Sequence, residues 1–169
     1  MRKASLYWHT VKYLKPIQIY GRLWFKYYSP KPDLRPSLKR SLPTINLESP
    51  ARRQSSVTKS KVFRFLNTEG SLENIGWNGP QKDKLWRYNQ HYFDDLNAIL
   101  SDTRLIWHKE LIEIWITENP PGEGVGWDPY PTSLRIVNWV KWYMRYPSVT
   151  TSFLQSLAIQ ARWLEKRLE

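Results

Sequence analysis

The chain has 169 residues, 41% of them hydrophobic and 15% aromatic, which is enough to fold around one substantial core. It contains no cysteine, so disulfides and thiolate metal sites are excluded. The net charge of +11 belongs to the N-terminal third, because residues 1–61 hold 14 Lys and Arg against 2 acids and the remainder holds 12 against 13. Such a distribution favours polyanions, namely acidic polysaccharides, anionic membranes or nucleic acid, without choosing among them.

Two basic helices are predicted near the N-terminus. Residues 3–14 and 17–28 place apolar and aromatic residues at helical spacing among Lys and Arg, with Pro16 between them. We favour docking of their aromatic faces onto the rest of the protein, and the alternative is that they lie on a membrane.

The chain is predicted to have three parts: basic helices at 1–29, a linker rich in Pro, Ser, Lys and Arg at 30–61, and a folded region at 62–169.

A short β excursion is predicted at the start of the folded region, in residues 62–78. Val62, Phe63 and Phe65 form a strand-like run, and turn-forming residues follow from Asn67 to Gly70. This pattern is typical of a small hairpin.

Two amphipathic helices are predicted next, at residues 84–100 and 103–117, and residues 119–122 (NPPG) end the second one. The expected inward residues of the first are Leu85, Tyr92, Phe93, Leu96, Ile99 and Leu100, and those of the second are Leu105, Ile106, Leu111, Ile112, Trp115 and Ile116. Arg87, His91 and Asp95 are spaced four apart in the first helix. We favour a solvated or salt-bridged ladder for these three, with a proton-transfer role for His91 as the alternative.

The stretch GVGWDPYPTSLRIVNWVKW, residues 124–142, predicts a glycine-rich loop followed by a helix with a proline in its first turn. Apolar packing is assigned to Leu134, Ile136, Val137 and Val140. The other side combines flat aromatic rings with hydrogen-bonding groups, which suits a sugar chain, and consists of Arg135, Asn138, Trp139 and Trp142. The alternative is that Trp139 and Trp142 are core residues and Arg135 is a surface charge.

A last helix is predicted from Thr150 or Ser152 to the final residues, with an apolar stripe of Leu154, Leu157, Ala158, Ala161, Leu164 and Leu168. No stop signal follows the stripe, so we expect the coding sequence to be cut off at this helix, whose apolar face water would then reach. Helices with one wide apolar face stack as antiparallel pairs, and the expected fold is mainly α, as a bundle, a solenoid or a toroid.

Three segments together resemble the N-terminal part of the heparinase II/III family of polysaccharide lyases. They are HTVKYLKPIQIYGRLWF (9–25), LWRYNQHYFDDLN (85–97) and IEIWITENPPGEGVGWDPYPTSLRIVNWVKW (112–142). The similarity covers most of the chain apart from the linker, with Gln90 and Asp95 as departures from the apolar or aromatic residues expected at those positions. It implies a partial α/α toroid of helical hairpins, with the rest of the toroid and a β-sandwich lying beyond this chain.

The resemblance further implies β-elimination on uronate-containing polysaccharides such as glycosaminoglycans. A lyase of this kind must neutralise the uronate carboxylate and supply a base and an acid. The family's Asn, Tyr and His segments lie beyond the point matching Glu169, so no catalytic residue is assigned and the chain alone is expected to be inactive. Sugar contacts are predicted for Trp127, Tyr130, Arg135, Asn138, Trp139 and Trp142, with Asn89 and His91 as secondary candidates. Alanine at Arg135 and Trp139 is then expected to weaken turnover with little loss of fold.

A non-catalytic glycan-binding or interaction module, linked to surface-polysaccharide metabolism, is the alternative function. Nucleic-acid binding is not expected, since no recognised motif accompanies the basic residues. No metal or cofactor is expected either, because His9, His91 and His108 show no ligand spacing. Neither a signal peptide nor a transmembrane segment is visible, and the compartment stays open, although members of the family often work in the periplasm.

Overall fold

A computed structural model of the protein describes residues 12–28, 30–37 and 53–167. The predicted helix at 3–14 lies almost wholly outside these residues. The second predicted helix is confirmed as α1, Pro16–Tyr27. Of the segment predicted as linker, residues 30–37 lie against the last helix, where Gln155 donates to the carbonyls of Leu34 and Arg35 at 3.2 and 2.9 Å.

The predicted β excursion is confirmed as a three-stranded antiparallel sheet, and the strand predicted from Val62, Phe63 and Phe65 is confirmed, but the other two strands and the turn differ from the prediction. The strands are β1, Val57–Lys59, β2, Val62–Phe65, and β3, Thr68–Ser71, in the order β1-β2-β3. The β2–β3 turn consists of Leu66 and Asn67, both with positive φ, so that β3 occupies residues predicted as turn. β1 belongs to the sheet although its residues were predicted as linker.

The remaining chain is mainly helical. The helices are α2, Leu72–Ile75, α3, Lys84–Tyr92, α4, Leu105–Glu118, α5, Pro129–Arg145, and α6, Thr151–Glu165, with 3-10 turns at Asp94–Asn97, Ser101–Arg104 and Val125–Trp127. α5 packs against α3 and α6, and α6 also packs against α4. None of the described helices is long and apolar enough to cross a membrane.

The predicted helix at 84–100 is shorter than expected. Asp83 caps α3 through the backbone N–H of Trp86. Phe93 adopts the left-handed conformation at φ 57° and ends α3, and Leu100 adopts it at φ 54° between the two 3-10 turns that follow. Leu85, Ile99 and Leu100 are exposed rather than inward, and so is Ile106 in α4.

Aromatic side chains dominate the core. Its largest fully buried members are Trp86, Trp115, Trp139, Trp142 and Phe153. Trp139 stacks on Phe153 with ring centroids 5.0 Å apart, and it meets Trp115 edge to face at 5.6 Å. The centre of the protein is therefore the meeting point of α4, α5 and α6.

The buried faces of α5 and α6 differ from the prediction: that of α5 is reversed, and that of α6 is displaced, with Leu154 and Leu157 only partly buried against the core. On α5 the polar and aromatic side is buried, whereas Val137 and Val140 of the supposed packing side are exposed. On α6 the buried residues are Phe153, Ser156, Ile159, Gln160 and Trp163, while the predicted leucine stripe is only partly buried or exposed over its described residues. Burial of a tryptophan or phenylalanine ring removes more apolar area from water than burial of valine does. The aromatic side is therefore buried, because the polar side chains beside it have hydrogen-bond partners inside the protein.

Candidate functional site

Five of the six predicted sugar contacts lie inside the protein. Trp127, Arg135, Asn138, Trp139 and Trp142 are all buried, and Tyr130 is exposed over 59% of its surface. The prediction that they form one ligand-facing side is therefore wrong for five of them. The alternative is confirmed for Trp139 and Trp142, which are core residues, and it is wrong for Arg135, which is not a surface charge.

Arg135 is a fully buried cation held by neutral groups. Its guanidinium lies 3.9 Å from the ring centroid of Trp115 and 5.7 Å from that of Trp127. Nε donates to Gln160 at 2.8 Å, and Nη1 donates to the carbonyl of Gly126, also at 2.8 Å. Burial holds the pKa of Arg135 well below its usual value. The planar fork thus ties α5 to α6 and to the loop before α5.

Asn138 connects the two segments that carry the resemblance, 85–97 and 112–142. Its side-chain nitrogen donates to the carbonyl of Tyr92 at 2.9 Å and to the carboxylate of Asp94 at 2.7 Å. Its side-chain oxygen accepts from Asn97 at 3.0 Å. All hydrogen-bonding atoms of this amide are used within the protein, so Asn138 fixes the chain where α3 ends against α5.

His91 is buried with both ring nitrogens engaged. Nε2 lies 3.0 Å from the carbonyl of Trp77, and Nδ1 accepts from the indole of Trp115 at 2.9 Å. Because a carbonyl only accepts, the proton sits on Nε2. Gly126 packs against this ring, where an added Cβ would lie 2.4 Å from Nδ1. A ring enclosed in this way is not placed to exchange a proton with a substrate.

The favoured ladder of Arg87, His91 and Asp95 is wrong as well. Asp95 lies beyond the end of α3, and its carboxylate pairs with Arg104 and His108, both at 2.8 Å. The same carboxylate accepts from the backbone N–H groups of Ser56 and Val57. Asp95 therefore joins β1 to the start of α4. The sequence shows these residues, but not the long-range contact that gives them this role.

The burial of His91 has a consequence for stability at acid pH. Burial, and next the positive charge of Arg135, lower the pKa of His91 from 6.5 to about 3. The unfolded chain therefore binds a proton between these pH values that the folded chain does not bind. The stabilisation of the fold by neutral His91 is complete above the pKa of His91 in the unfolded chain and is lost as pH falls below it. The free energy of unfolding then decreases by up to about 1.4 kcal/mol per pH unit.

We expect urea denaturation to show a lower unfolding free energy at pH 5 than at pH 7, by roughly 2 kcal/mol from this group. The C2 proton of His91 should keep one NMR chemical shift from pH 8 to pH 5. Asn substituted for His91 is the matched variant, because it cannot titrate and should reduce the pH dependence. A His91 resonance that titrates near pH 6.5 in the folded protein would contradict the enclosed ring.

Three tyrosines form an accessible edge beside this scaffold, which we call the tyrosine edge: Tyr88, Tyr92 and Tyr130. The ring of Tyr130, at the start of α5, lies 5.7 Å from Tyr92 edge to face and 6.4 Å from Tyr88, between centroids. Tyr92 is buried beneath it, and burial raises the pKa of Tyr92 to about 12. An exposed ring supported by two others is a rigid platform at which the flat face of a sugar could stack.

Charged groups border the tyrosine edge. The hydroxyl of Tyr88 donates to the carboxylate of Asp128, which Lys84 approaches to 3.2 Å. Burial, and next this hydrogen bond, raise the pKa of Tyr88, so it remains a phenol at neutral pH. The ammonium of Lys84 lies 5.0 Å from the Tyr88 ring centroid and is exposed. A rim of hydrogen-bonding groups and the Lys84–Asp128 ion pair, next to an exposed ring, suits a polar ligand.

Asn89, the other secondary candidate, is half-buried on α3 and donates to the carbonyl of Leu85 at 2.8 Å.

None of the protein-family models, curated proteins or solved structures compared with the chain matches the chain. The function is therefore argued from the site itself and from the sequence resemblance.

Proposed function

We propose that this chain is the N-terminal part of a polysaccharide lyase of the heparinase II/III type, and that it binds uronate-containing glycans at the tyrosine edge. The observation that carries the proposal is the exposed ring of Tyr130, held over Tyr88 and Tyr92 with Lys84 beside it. Stacking on that ring would supply affinity for a pyranose, and Lys84 would attract the carboxylate.

The packing of the two resembling segments supports this proposal. Segments 85–97 and 112–142 interlock through Asn138 on α5 and through the hydrogen bond from Trp115 on α4 to His91, and the tyrosine edge is composed of residues from both segments. In this interpretation the buried part of the motif is a scaffold, and its exposed rim contacts the glycan. In the same interpretation the role of the five buried residues changes from sugar contact to support.

A toroid is the arrangement that we propose for the complete protein. α6 packs against both α5 and α4, an arrangement that helical hairpins of such a fold would share. Val137 and Val140 leave an aliphatic strip on the outer side of α5 uncovered. Further helices packing on that strip would extend the row, and they would carry the carboxylate-neutralising, basic and acidic groups of the reaction.

Glycan binding without catalysis is the second candidate. His91 and His108 are the two histidines within the described residues, and both are enclosed in the protein. Within those residues no histidine is therefore available to transfer a proton at the tyrosine edge. This observation favours a binding role for the described residues, whether or not a longer chain supplies catalytic groups.

The test is a titration of the 169-residue chain with a polyuronate tetrasaccharide, followed by calorimetry or NMR. Replacing Tyr130 by alanine should weaken binding about tenfold, whereas phenylalanine should keep most of it, because the ring and not the hydroxyl makes the contact. Ile106→Ala, an exposed change on α4, is the control. Equal affinity of wild type and Tyr130→Ala, with intact fold, would overturn the proposed site.

Catalysis is distinguished from binding by the product. Incubation of polyuronate with a chain encoded by the same reading frame continued beyond Glu169 should yield unsaturated uronate ends if the lyase proposal is correct. Binding that depends on Tyr130, with no unsaturated product from either the 169-residue or the continued chain, would support the binding module instead.

A further inference from the structure

The apolar side of α1 is exposed along the helix. Ile17, Tyr20, Leu23 and Trp24 keep between 47% and 68% of their surface accessible, and we call these four residues the α1 apolar face. They fall at spacings of three and four, so they lie on one side of the helix. Docking of the aromatic face onto the rest of the protein, the favoured prediction, is therefore wrong for these residues. Apolar surface presented in this way marks an interaction site more often than an isolated exposed residue does.

We propose that α1 lies in the interface of an anionic lipid surface, with the α1 apolar face inserted among the lipids. This inference goes beyond glycan binding and does not depend on it. Its starting point is the combination of one exposed apolar side with a strongly basic sequence. Helices that lie in a membrane interface have this combination, with Trp and large aliphatic residues on the inserted side.

The aromatic residues of α1 are arranged for an interface between water and hydrocarbon. Trp24 stacks with Tyr20 at 6.0 Å and with Tyr28 at 5.0 Å, between ring centroids. The three rings thus follow one another along the helix at intervals of one turn. Trp and Tyr concentrate at membrane interfaces because their bodies are apolar while the indole N–H and phenol O–H remain hydrated.

The charge of this part of the chain complements an anionic surface. Between Lys12 and Lys31 the sequence has five Lys and Arg and no Asp or Glu. Near an anionic leaflet each such residue adds electrostatic attraction, which falls off within a Debye length. Apolar insertion and charge attraction together would give the two signals that stable association with a membrane requires.

The aliphatic residues of the α1 apolar face favour an anionic lipid surface over a polysaccharide or a nucleic acid. Ile17 and Leu23 are 68% and 54% exposed on the same side as Trp24. A polysaccharide or a nucleic acid gains little from branched aliphatic side chains, since its recognition depends on charge, hydrogen bonds and ring stacking. An acyl-chain boundary does gain from them, because it removes their surface from water.

The experiment is co-sedimentation of the 169-residue chain with vesicles of phosphatidylcholine alone and with phosphatidylglycerol added. We expect binding to the anionic vesicles, weakened by salt, and little binding to the neutral ones. The double variant Leu23→Ser/Trp24→Ser should bind at least about tenfold less tightly. Ile106→Ser is the matched control, since it removes an even more exposed aliphatic side chain from α4, and should bind as wild type does.

Four results would overturn the inference. They are absence of binding to anionic vesicles, equal binding to both kinds of vesicle, full binding by the double variant, and equal loss of binding in Ile106→Ser. Size-exclusion chromatography identifies one competing occupant, because a dimer that the double variant abolishes, without vesicle binding, would assign the face to a second copy. Circular dichroism and urea denaturation of both variants confirm that the remaining protein is folded, as expected for surface substitutions.

Discussion

Alanine in place of Arg135 should lower the free energy of unfolding by roughly 3–5 kcal/mol, a large share of the stability of an ordinary domain. The guanidinium donates both to Gln160 on α6 and to the carbonyl of Gly126. Its removal takes the donor from the buried side-chain oxygen of Gln160 and one donor from the carbonyl of Gly126, which still accepts from Thr132 at 3.2 Å. It also opens a cavity against the ring of Trp115. Urea denaturation at pH 7 is the measurement.

Lysine at position 135 should also be strongly destabilising, because an ammonium cannot stack as a plane while donating in several directions. Lys141→Ala, an exposed change on the same helix, should alter stability by less than about 0.5 kcal/mol. An Arg135→Ala protein within about 1 kcal/mol of wild type would mean that the cation is not enclosed as described. The sequence alone predicted little loss of fold for this substitution, and burial reverses that expectation.

Alanine in place of Asp95 is the second change with a large expected effect, again roughly 3–5 kcal/mol. The carboxylate accepts from Arg104 and His108 at 2.8 Å each and from two backbone N–H groups of the strand region. Burial alone raises the pKa of Asp95, but the hydrogen bonds from His108 and Arg104 outweigh it and hold the pKa well below its usual range. Loss of this carboxylate removes the charged partner of the nearly buried Arg104 and breaks the hydrogen bonds that join β1 to the start of α4.

The measurement is urea denaturation of Asp95→Ala and Asp95→Asn with Asp102→Ala as control, an exposed acid a few residues along. Asparagine keeps an acceptor and should recover part of the loss, whereas the control should stay near wild type. Because the folded pKa of Asp95 is depressed, its stabilisation is complete above the unfolded pKa of about 3.9 and is lost as pH falls below it. Equal stability of Asp95→Ala and Asp102→Ala would contradict the account.

The helical elements could be predicted from sequence because their signals are local. Apolar periodicity and the proline near the start of α5 locate that helix at Pro129–Arg145, and the NPPG segment correctly ends α4. The break in α3 was missed, since Phe93 and Leu100 adopt positive φ without being glycine or asparagine. Only tertiary packing requires those conformations.

The candidate site was the harder part, and Arg135 shows why. Periodicity groups residues onto sides of a helix but does not state which side is buried. Arg135 and Asn138 looked like ligand-binding residues because they stand beside tryptophans, yet their partners, Gln160 and the carbonyl of Tyr92, are 25 and 46 residues away. These long-range hydrogen bonds offset the cost of burying the polar side chains, and they produce no pattern in the nearby sequence. Tyr130 was predicted as a sugar contact because it belongs to the same stretch, whereas the two rings that support it come from α3.

Hydroxyl-radical footprinting with mass spectrometry tests the central claim most directly, namely that the aromatic motif of α5 is a scaffold and Tyr130 is its accessible edge. In the free chain Tyr130 and Trp24 should be oxidised fast, and Trp139 and Trp142 should be protected. Adding a polyuronate oligosaccharide should protect Tyr130 and leave the two core tryptophans unchanged. Rapid oxidation of Trp139 and Trp142 in the free chain, suppressed by the oligosaccharide, would instead assign the glycan to the face that we place in the core.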